Sequence, residues 1–332
     1  MKYTAITNAN IAIIKYWGKR DFNLNTPMNN SISFTMDDQL QTITTVEFVN
    51  DLKHDELYLN NELATPKETQ KVHVFMDIVR KIAKTETKAK ISSKNSFPKS
   101  AGMASSASGF AALAGAASRA AGLKLTPREM SILARHGSGS ASRSIMGGAV
   151  EWVAGKKPDG TDSYAYMLSP PEKWKDLKNV IAISSEGEKR VSSVDGMKRV
   201  PTSELFPCRL KSLKGRLKTI KEAIKEVNFE KMAVAIMRES NNMHAIMLES
   251  WPPSLYLSGT SLEIMQKIVD LNDSHGTPVA AYTFDAGPNA HVYTTTKYSH
   301  EIAKMLQEMN EVKRVLTCGV GEGIRFGTKH LF

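Results

Sequence analysis

Cysteine is scarce in this 332-residue chain. Cys208 and Cys318 stand alone, which excludes a disulfide-stapled scaffold and a cysteine-based zinc cluster and leaves two ordinary thiols. Long apolar runs are missing too: no stretch approaches the roughly 20 residues a bilayer-spanning helix needs. The small-residue segment Ala101 to Gly122 is broken by serines, glycines and Arg119, and Met1 to Ile14 carries one lysine and no small-residue cleavage site. A cytoplasmic protein with no membrane partner is therefore expected. Aromatic residues make up only 7%, and no five or six basic residues follow one another, so a stacking groove for nucleic acid has little to be built from. The glycines show no three-residue period and the chain no internal repeat, which excludes collagen-like and solenoid architectures.

What is present is a globular composition, 41% hydrophobic and 23% charged, enough for a sizeable core. Lysine and arginine outnumber acids 44 to 34, a net +10 compatible with nucleic acid, an anionic membrane surface or a small polyanionic substrate. Local concentrations occur at Lys15 to Arg20, Lys173 to Lys178 and Lys211 to Lys225. In the last, Lys211, Lys214, Arg216, Lys218, Lys221 and Lys225 alternate with Leu213, Leu217, Ile220 and Ile224, the pattern of an amphipathic helix with a solvated basic face.

The opening is β-rich, with strands expected at Ile11 to Ile14, Ser31 to Met36 and Gln41 to Val49 and a hairpin end at Tyr58-Leu59-Asn60-Asn61. Helical spacing follows over Lys67 to Ala83, and Pro98 stops any strand before it. A Gly/Ser loop, Gly102 to Gly109, feeds an alanine-rich helix; a second helix starts at Thr126 as N-cap with Pro127 and Glu129 behind it. Strands at Ala149 to Val153 and Val180 to Ile183 precede a polar stretch, Ser184 to Arg199. Helices are expected at 203–227, 229–249 and 259–275, then strand Val279 to Thr283, a turn Asp285 to Asn289, strand Ala290 to Thr296, helix Tyr298 to Asn310 and strand Arg314 to Cys318. Two α+β lobes, residues 1–185 and 186–332, are the economical reading.

Four places carry chemistry. The Gly102 to Gly109 loop has the small residues, amides and helix start that hold phosphate, although a tightly packed buried helix has the same composition. It is not a Walker A loop, because Phe110 stands where the lysine should follow. Ser138 to Arg143 offers a guanidinium beside hydroxyls, suited to a carboxylate or phosphate, or else a connecting turn with a surface arginine. Lys15, Lys19 and Arg20 flank Tyr16-Trp17-Gly18, as an anion site or as a packed strand end with snorkelling lysines. Asp285 ends an apolar strand and begins Ala286-Gly287-Pro288-Asn289, so it either faces a cleft as a general base or simply initiates a turn.

Taken together, Asn10-Ile11-Ala12-Ile13-Ile14-Lys15-Tyr16-Trp17-Gly18-Lys19-Arg20-Asp21, Ala101 to Gly109, Ser138 to Ser144 with Gly147-Gly148 and Glu151-Trp152, Asn242-Met243-His244-Ala245, and Tyr282 to Asn289 resemble the mevalonate diphosphate decarboxylases of the GHMP kinase superfamily. The resemblance runs in order from about residue 5 to residue 295. It implies a two-lobe GHMP kinase-like fold, with an N-terminal lobe like ribosomal protein S5 domain 2, a ferredoxin-like C-terminal lobe and the site between them, usually in a homodimer. The implied reaction is ATP- and Mg2+-dependent: the C3 hydroxyl of (R)-5-diphosphomevalonate takes the γ-phosphoryl group, phosphate leaves, and loss of carbon dioxide gives isopentenyl diphosphate.

By the same resemblance Asp285 acts at the C3 hydroxyl, Arg143 holds the substrate carboxylate, and Lys15 neutralises charge beside them. ATP falls to Gly102, Met103, Ala104, Ser105, Ser106 and Ser108, with Ser105 and Ser106 also as magnesium ligands. Phosphorylated mevalonate falls to Tyr16, Trp17, Gly18, Lys19, Lys71, Ser138, Gly139, Ser140, Ala141, Ser142, Arg143, Ser193 and Met197. One segment departs from the bacterial pattern: where those members carry an arginine before Gly-Met, this chain reads Val191-Ser192-Ser193-Val194-Asp195-Gly196-Met197, and Ser193 is the expected substitute. A decarboxylase of the 5-monophosphate, or a mevalonate 3-kinase-like enzyme, is the alternative; a basic nucleic-acid-binding protein is the remote one.

Overall fold

Strand Gln41–Val49 buries Thr42, Thr44 and Val46 in alternation on one face, with Thr45 buried on the other. In this computed structural model, which describes residues 1–97, 105–185 and 190–332, that strand is central to a six-stranded sheet. The order is Arg325–Gly327, Lys2–Asn8, Gln41–Val49, Lys88–Asn95, Glu56–Leu59, Glu62–Leu63. All neighbours are antiparallel except Glu56–Leu59 with Lys88–Asn95, which the crossover helix α1 (Pro66–Ala83) joins in parallel. Glu56–Leu59 and Glu62–Leu63 form the expected hairpin, with Asn60 and Asn61 both left-handed at φ 52° and 70° as a two-residue turn requires.

Two four-stranded antiparallel sheets complete the frame. One runs Ala165–Ser169, Ala149–Trp152, Ser31–Thr35, Asn10–Ile14, and the other Ala280–Phe284, Ala290–Thr295, Leu177–Ile183, Arg314–Gly319. Helix α2 (Ser105–Ala120) is buried along Ala107, Ala111, Ala114 and Ala117 against the six-stranded sheet, a close contact that small side chains permit. Helix α3 (Pro127–Gly137) starts on the expected capping box, Thr126 with Glu129. Then come α4 (Ser193–Arg199), α5 (Phe206–Glu226), α6 (Phe229–Glu249), α7 (Gly259–His275) and α8 (Thr296–Gln307). Apolar residues of Asn10–Ile14 and Ser31–Thr35 share one core with Ile181, Ile183 and the inner faces of α5 and α6, so the lobes are packed on each other.

The α+β class and most elements stand as expected. Strands Lys2–Asn8, Lys19–Asp21, Thr26–Pro27, Lys88–Asn95, Ala165–Ser169 and Arg325–Gly327 go beyond the sequence expectation, being short or lacking a clear apolar alternation of their own. Helix α4 occupies ground read as polar linker; its start is the Ser192 side chain accepting from the Asp195 N–H. Strand pairing does not follow the division at 185, since Leu177–Ile183 is bonded to Ala290–Thr295 and Arg314–Gly319, and Arg325–Gly327 returns to Lys2–Asn8. The basic face of α5 needs correction as well. Lys211, Lys214, Lys218 and Lys225 are exposed, but Arg216 and Lys221 turn to the fully buried carboxylates of Glu239 and Glu151, at 2.8 Å and 2.7 Å. Periodicity places a residue on a face but says nothing of an acid waiting opposite it.

Candidate active site

Strand Asn10–Ile14 from one lobe and strand Ala280–Phe284 from the other end facing each other. Lys15, one residue past the first, is buried, and its Nζ lies 2.7 Å from Oδ1 of Asp285, one residue past the second. Burial pulls the Lys15 ammonium below the ordinary lysine value, while the Asp285 carboxylate pulls it back up. The Asp285 side chain remains about one-third exposed (32%), so the pair is open to a ligand on one side.

Arg143 lies beside this pair in the short 3-10 segment Gly139–Ile145. It is buried, and among the described residues its hydrogen bonds go to neutral oxygens: Nε to Asn10 Oδ1 at 3.0 Å and Ser33 Oγ at 3.1 Å, Nη1 to Ser31 Oγ at 2.6 Å. Burial depresses the guanidinium to about 10, with Asp285 opposing. Among the described residues, the buried Lys15 and Arg143 cations thus both lie in the field of the Asp285 carboxylate, an arrangement that suits an anionic substrate group. Asn10, Ser31 and Ser33 were not singled out as site residues by sequence reasoning; the available signal was polar residues at buried positions of otherwise apolar strands.

Beyond Lys15 the chain turns through Tyr16, Trp17 and Gly18, the last at φ 97°, a conformation L side chains rarely adopt. The half-buried Tyr16 packs edge-on to Trp152 at 4.8 Å, and a Cβ on Gly139 would come within 2.8 Å of that tyrosine ring, so glycine is what admits it. The Tyr16 hydroxyl and Trp17 indole nitrogen are buried with no hydrogen-bond partner among the described residues. Trp17 forms an apolar wall with Met197, Phe206, Met243 and Tyr256. Lys19 bonds Asn25 at 2.5 Å and has no carboxylate within ion-pair reach among the described residues. Burial, then Lys71 and Lys198, depress it to about 8. Ser193 is half-buried at the first turn of α4.

Hydroxyls connect this region to α2: Ser106 Oγ is 3.5 Å from Ser138 Oγ, which is 3.4 Å from Ser140 Oγ. Ser105 and Ser106 sit in the first turn, at the helix's positive end. Gly102, Met103 and Ala104 lie outside the described residues. Three of the expected residues turn their side chains inward. Ser108 is fully buried, its Oγ accepting from Thr42 at 2.7 Å, so it fastens α2 to the sheet. Ser142 is buried with its Oγ donating to Gly139 O at 2.7 Å, and Ala141 belongs to the apolar core. A helix-like segment presents only some of its side chains to any one neighbour, and these three point inward.

A cavity of about 230 Å³ opens beside Ser105 and Ser106, lined by Leu57, Leu59, Val72, Ile91, Phe110 and Leu113 with Lys71 at its edge. The Lys71 ammonium stands 4.8 Å from the Phe110 ring centre. Sequence reasoning missed this cavity, because its apolar residues come from four separate elements, each of which reads as ordinary core.

A two-lobe α+β fold with a hydroxyl-rich helix start beside an apolar cavity, and a Lys15–Asp285 pair across the lobes, is the arrangement that the resemblance to the GHMP kinase class implies. Residues 7–165 match the diphosphomevalonate decarboxylase-like N-terminal domain and residues 179–323 the mevalonate 5-diphosphate decarboxylase C-terminal domain. The chain belongs to the diphosphomevalonate decarboxylase family. It is 38% identical over 319 residues to the diphosphomevalonate decarboxylase of Schizosaccharomyces pombe, covering 91% of this chain and 81% of that one. The crystal structure of mevalonate diphosphate decarboxylase from Staphylococcus aureus superposes with a TM-score of 0.92 at 36% identity, over 98% of this chain and 97% of that one. A structure described as MDDEF in complex with MVAPP, AMPPCP and magnesium gives 0.90 at 38% identity, over 98% and 99%. Among the described residues no helix is long and apolar enough to cross a membrane.

Proposed function

We propose that this chain converts (R)-5-diphosphomevalonate, with ATP, to isopentenyl diphosphate, ADP, phosphate and carbon dioxide. The observation that carries this reading is the Lys15–Asp285 pair at 2.7 Å with the buried Arg143 guanidinium beside it, on a chain that belongs to this family. Asp285 accepts a hydrogen bond from the C3 hydroxyl and aims its oxygen at the γ-phosphorus. Lys15 pairs with that carboxylate at 2.7 Å. Arg143 holds the substrate carboxylate through the guanidinium edge not used by Asn10, Ser31 and Ser33. The C3 oxygen bonds to the γ-phosphorus as the bond to ADP breaks and the hydroxyl proton passes to Asp285, and phosphate then departs with the C–O electron pair and takes up that proton. The pair of the carbon–carbon bond to the carboxylate then forms the new double bond, and carbon dioxide is released.

Nucleotide base binding is given to the apolar cavity, and the polyphosphate to the start of α2 with the Ser106–Ser138–Ser140 hydroxyls leading toward the substrate. Among the described residues no three His, Cys, Asp or Glu side chains converge on a metal position. Magnesium would come with the ATP phosphates, with the hydroxyls of Ser105 and Ser106 in the first turn of α2 as its protein ligands. The ion supplies charge neutralisation at the phosphates. Lys19, Lys71 and Ser193 hold the 5-diphosphate end. A cytoplasmic homodimer completes the proposal, supported by the composition and the family resemblance; fractionation and light scattering test it.

The decisive assay compares 5-diphosphomevalonate with the 5-monophosphate, with and without ATP and magnesium. Carbon dioxide and ADP should appear in equal amounts from the diphosphate only when both are present. Inertness towards both substrates overturns the reading, and preference for the monophosphate reassigns the substrate.

A further inference from the structure

Lys15 lies just past the end of strand Asn10–Ile14, where the ladder to Ser31–Thr35 has stopped. A buried backbone at such a point needs partners from elsewhere. The Lys15 N–H donates to Glu239 Oε1 at 3.1 Å, and its carbonyl accepts from Asn29 Nδ2 at 3.0 Å and Arg209 Nη2 at 3.3 Å. Glu239 and Arg209 come from α6 and α5 of the opposite lobe, 224 and 194 positions away in the chain.

Glu239 is fully buried and also accepts from Arg209 Nη2 at 2.6 Å and Arg216 Nε at 2.8 Å. Asn242 on the same helix face takes a further N–H from each arginine, at 2.8 and 3.0 Å. Fully desolvated ion pairs add little net stability over apolar packing, because desolvation consumes most of the attraction. They do impose one geometry, and this one grips the backbone of the residue whose ammonium meets Asp285.

We infer that Glu239 is a positioning residue, which with Arg209 holds the Lys15 backbone from the opposite lobe and so sets the Lys15 ammonium against Asp285. The inference rests on the reading of Lys15 and Asp285 as reaction-site groups. Glu239 also acts through charge. The charged groups facing Lys15 are Asp285 from the turn after Ala280–Phe284, Glu239 from α6, Arg209 from α5 and Arg143 from the Gly139–Ile145 segment. His244 of α6 and His291 of Ala290–Thr295 lie in the same field and are held neutral by burial. Glu239 and Asp285 favour the protonated lysine, Arg143 disfavours it.

The test uses the full chain with Glu239→Gln, Glu239→Asp and, as reference, Asp285→Asn. Turnover is counted per site able to bind an ATP analogue, so that a loss of folded protein does not register as a loss of rate. Misplacing a reacting group by about an ångström costs on the order of a hundredfold. Glu239→Gln should lose at least about tenfold in kcat with KM for ATP nearly unchanged, and the alkaline limb of its kcat profile should move to lower pH. Glu239→Asp, which keeps the charge but is too short to span Lys15 and Arg216 together, should lose rate with the limb unmoved; it also carries the test should the glutamine variant not fold. Parental turnover per site in either variant, or a slow Glu239→Gln whose limb stays in place, overturns the inference. Should Asp285→Asn itself remain fully active, the underlying site assignment fails instead.

Discussion

Lys15 and Asp285 stand 270 positions apart in the chain and 2.7 Å apart in space, each one residue beyond the end of a strand, and the two strands belong to different sheets. A salt bridge in that position ties chemistry to the packing of the lobes. The turn carrying Asp285 is itself braced: the Gly287 N–H donates to Asp285 O at 2.8 Å, and Asn289 Oδ1 accepts the backbone N–H groups of Ser184 and Ser185 at 2.9 and 3.0 Å. Both partners are thereby delivered by backbone structure more than by side-chain reach.

Replacing Asp285 by asparagine keeps the volume and removes the charge. The variant should fold and bind an ATP analogue while turnover falls on the order of 10² to 10⁴, the usual loss when a positioned base is removed. Steady-state kinetics beside analogue titration checks this, and a rate within a few-fold of the parent would leave Asp285 a turn residue.

For Arg143, the cradle of Asn10, Ser31 and Ser33 matches a planar guanidinium. Arg143→Lys keeps the charge but cannot fill those positions and present two parallel donors, so kcat should drop strongly. Affinity for an ATP analogue should change by less than about 1 kcal/mol, the scale of an indirect effect. Calorimetry and turnover on one preparation separate the two; lost nucleotide affinity with turnover intact would move Arg143 to the ATP phosphates.

Lys19 gives a pH signature. Its ammonium is depressed to about 8, so the free protein loses that charge as pH rises through 8, and kcat/KM for the diphosphate substrate should fall above that point. Lys19→Arg, which stays protonated, should flatten the profile between about pH 7 and 9, the window where a group titrating near 8 changes charge. A parental profile unaltered by the substitution would remove Lys19 from the phosphate end.

His244 and His291, both buried, are lowered to about 4 from an ordinary 6.5. The unfolded chain therefore binds more protons than the native one between those values, so stability rises with pH across this window and is lost as pH falls from about 6.5 towards 4. Denaturant titrations at about pH 7, 5.5 and 4, which span that window, should show a falling midpoint. His291→Asn should have a shallower fall, and equal slopes would assign the acid sensitivity to other groups.

Filling the apolar cavity is the last test. Val72 is half-buried on α1 and lines it, and a space of about 230 Å³ has no room to spare for an indole beside a nucleotide base. Val72→Trp should raise KM for ATP on the order of tenfold, with KM for the mevalonate substrate little altered, since a uniform-binding loss at a distant subsite leaves the chemistry in place. An unchanged KM for ATP would put the base elsewhere.

Local physics was legible in the amino-acid order. The capping box at Thr126 and Glu129, the Asn60-Asn61 turn, the alternation in Gln41–Val49 and the apolar faces of α6 and α7 each depend on neighbours a few positions away, so composition and spacing suffice for them. The chain also displayed Lys15, Arg143 and Asp285 as members of specific motifs. What only tertiary structure decided was direction and company: that Ser108 and Ser142 turn inward while Ser106 and Ser138 meet, that Arg216 and Lys221 on a basic helix reach buried acids, and that Glu239 grips the Lys15 backbone. The reason is that a side chain's partner is fixed by close packing of elements remote in sequence, and a one-dimensional pattern records which face a residue occupies but not what is packed against that face.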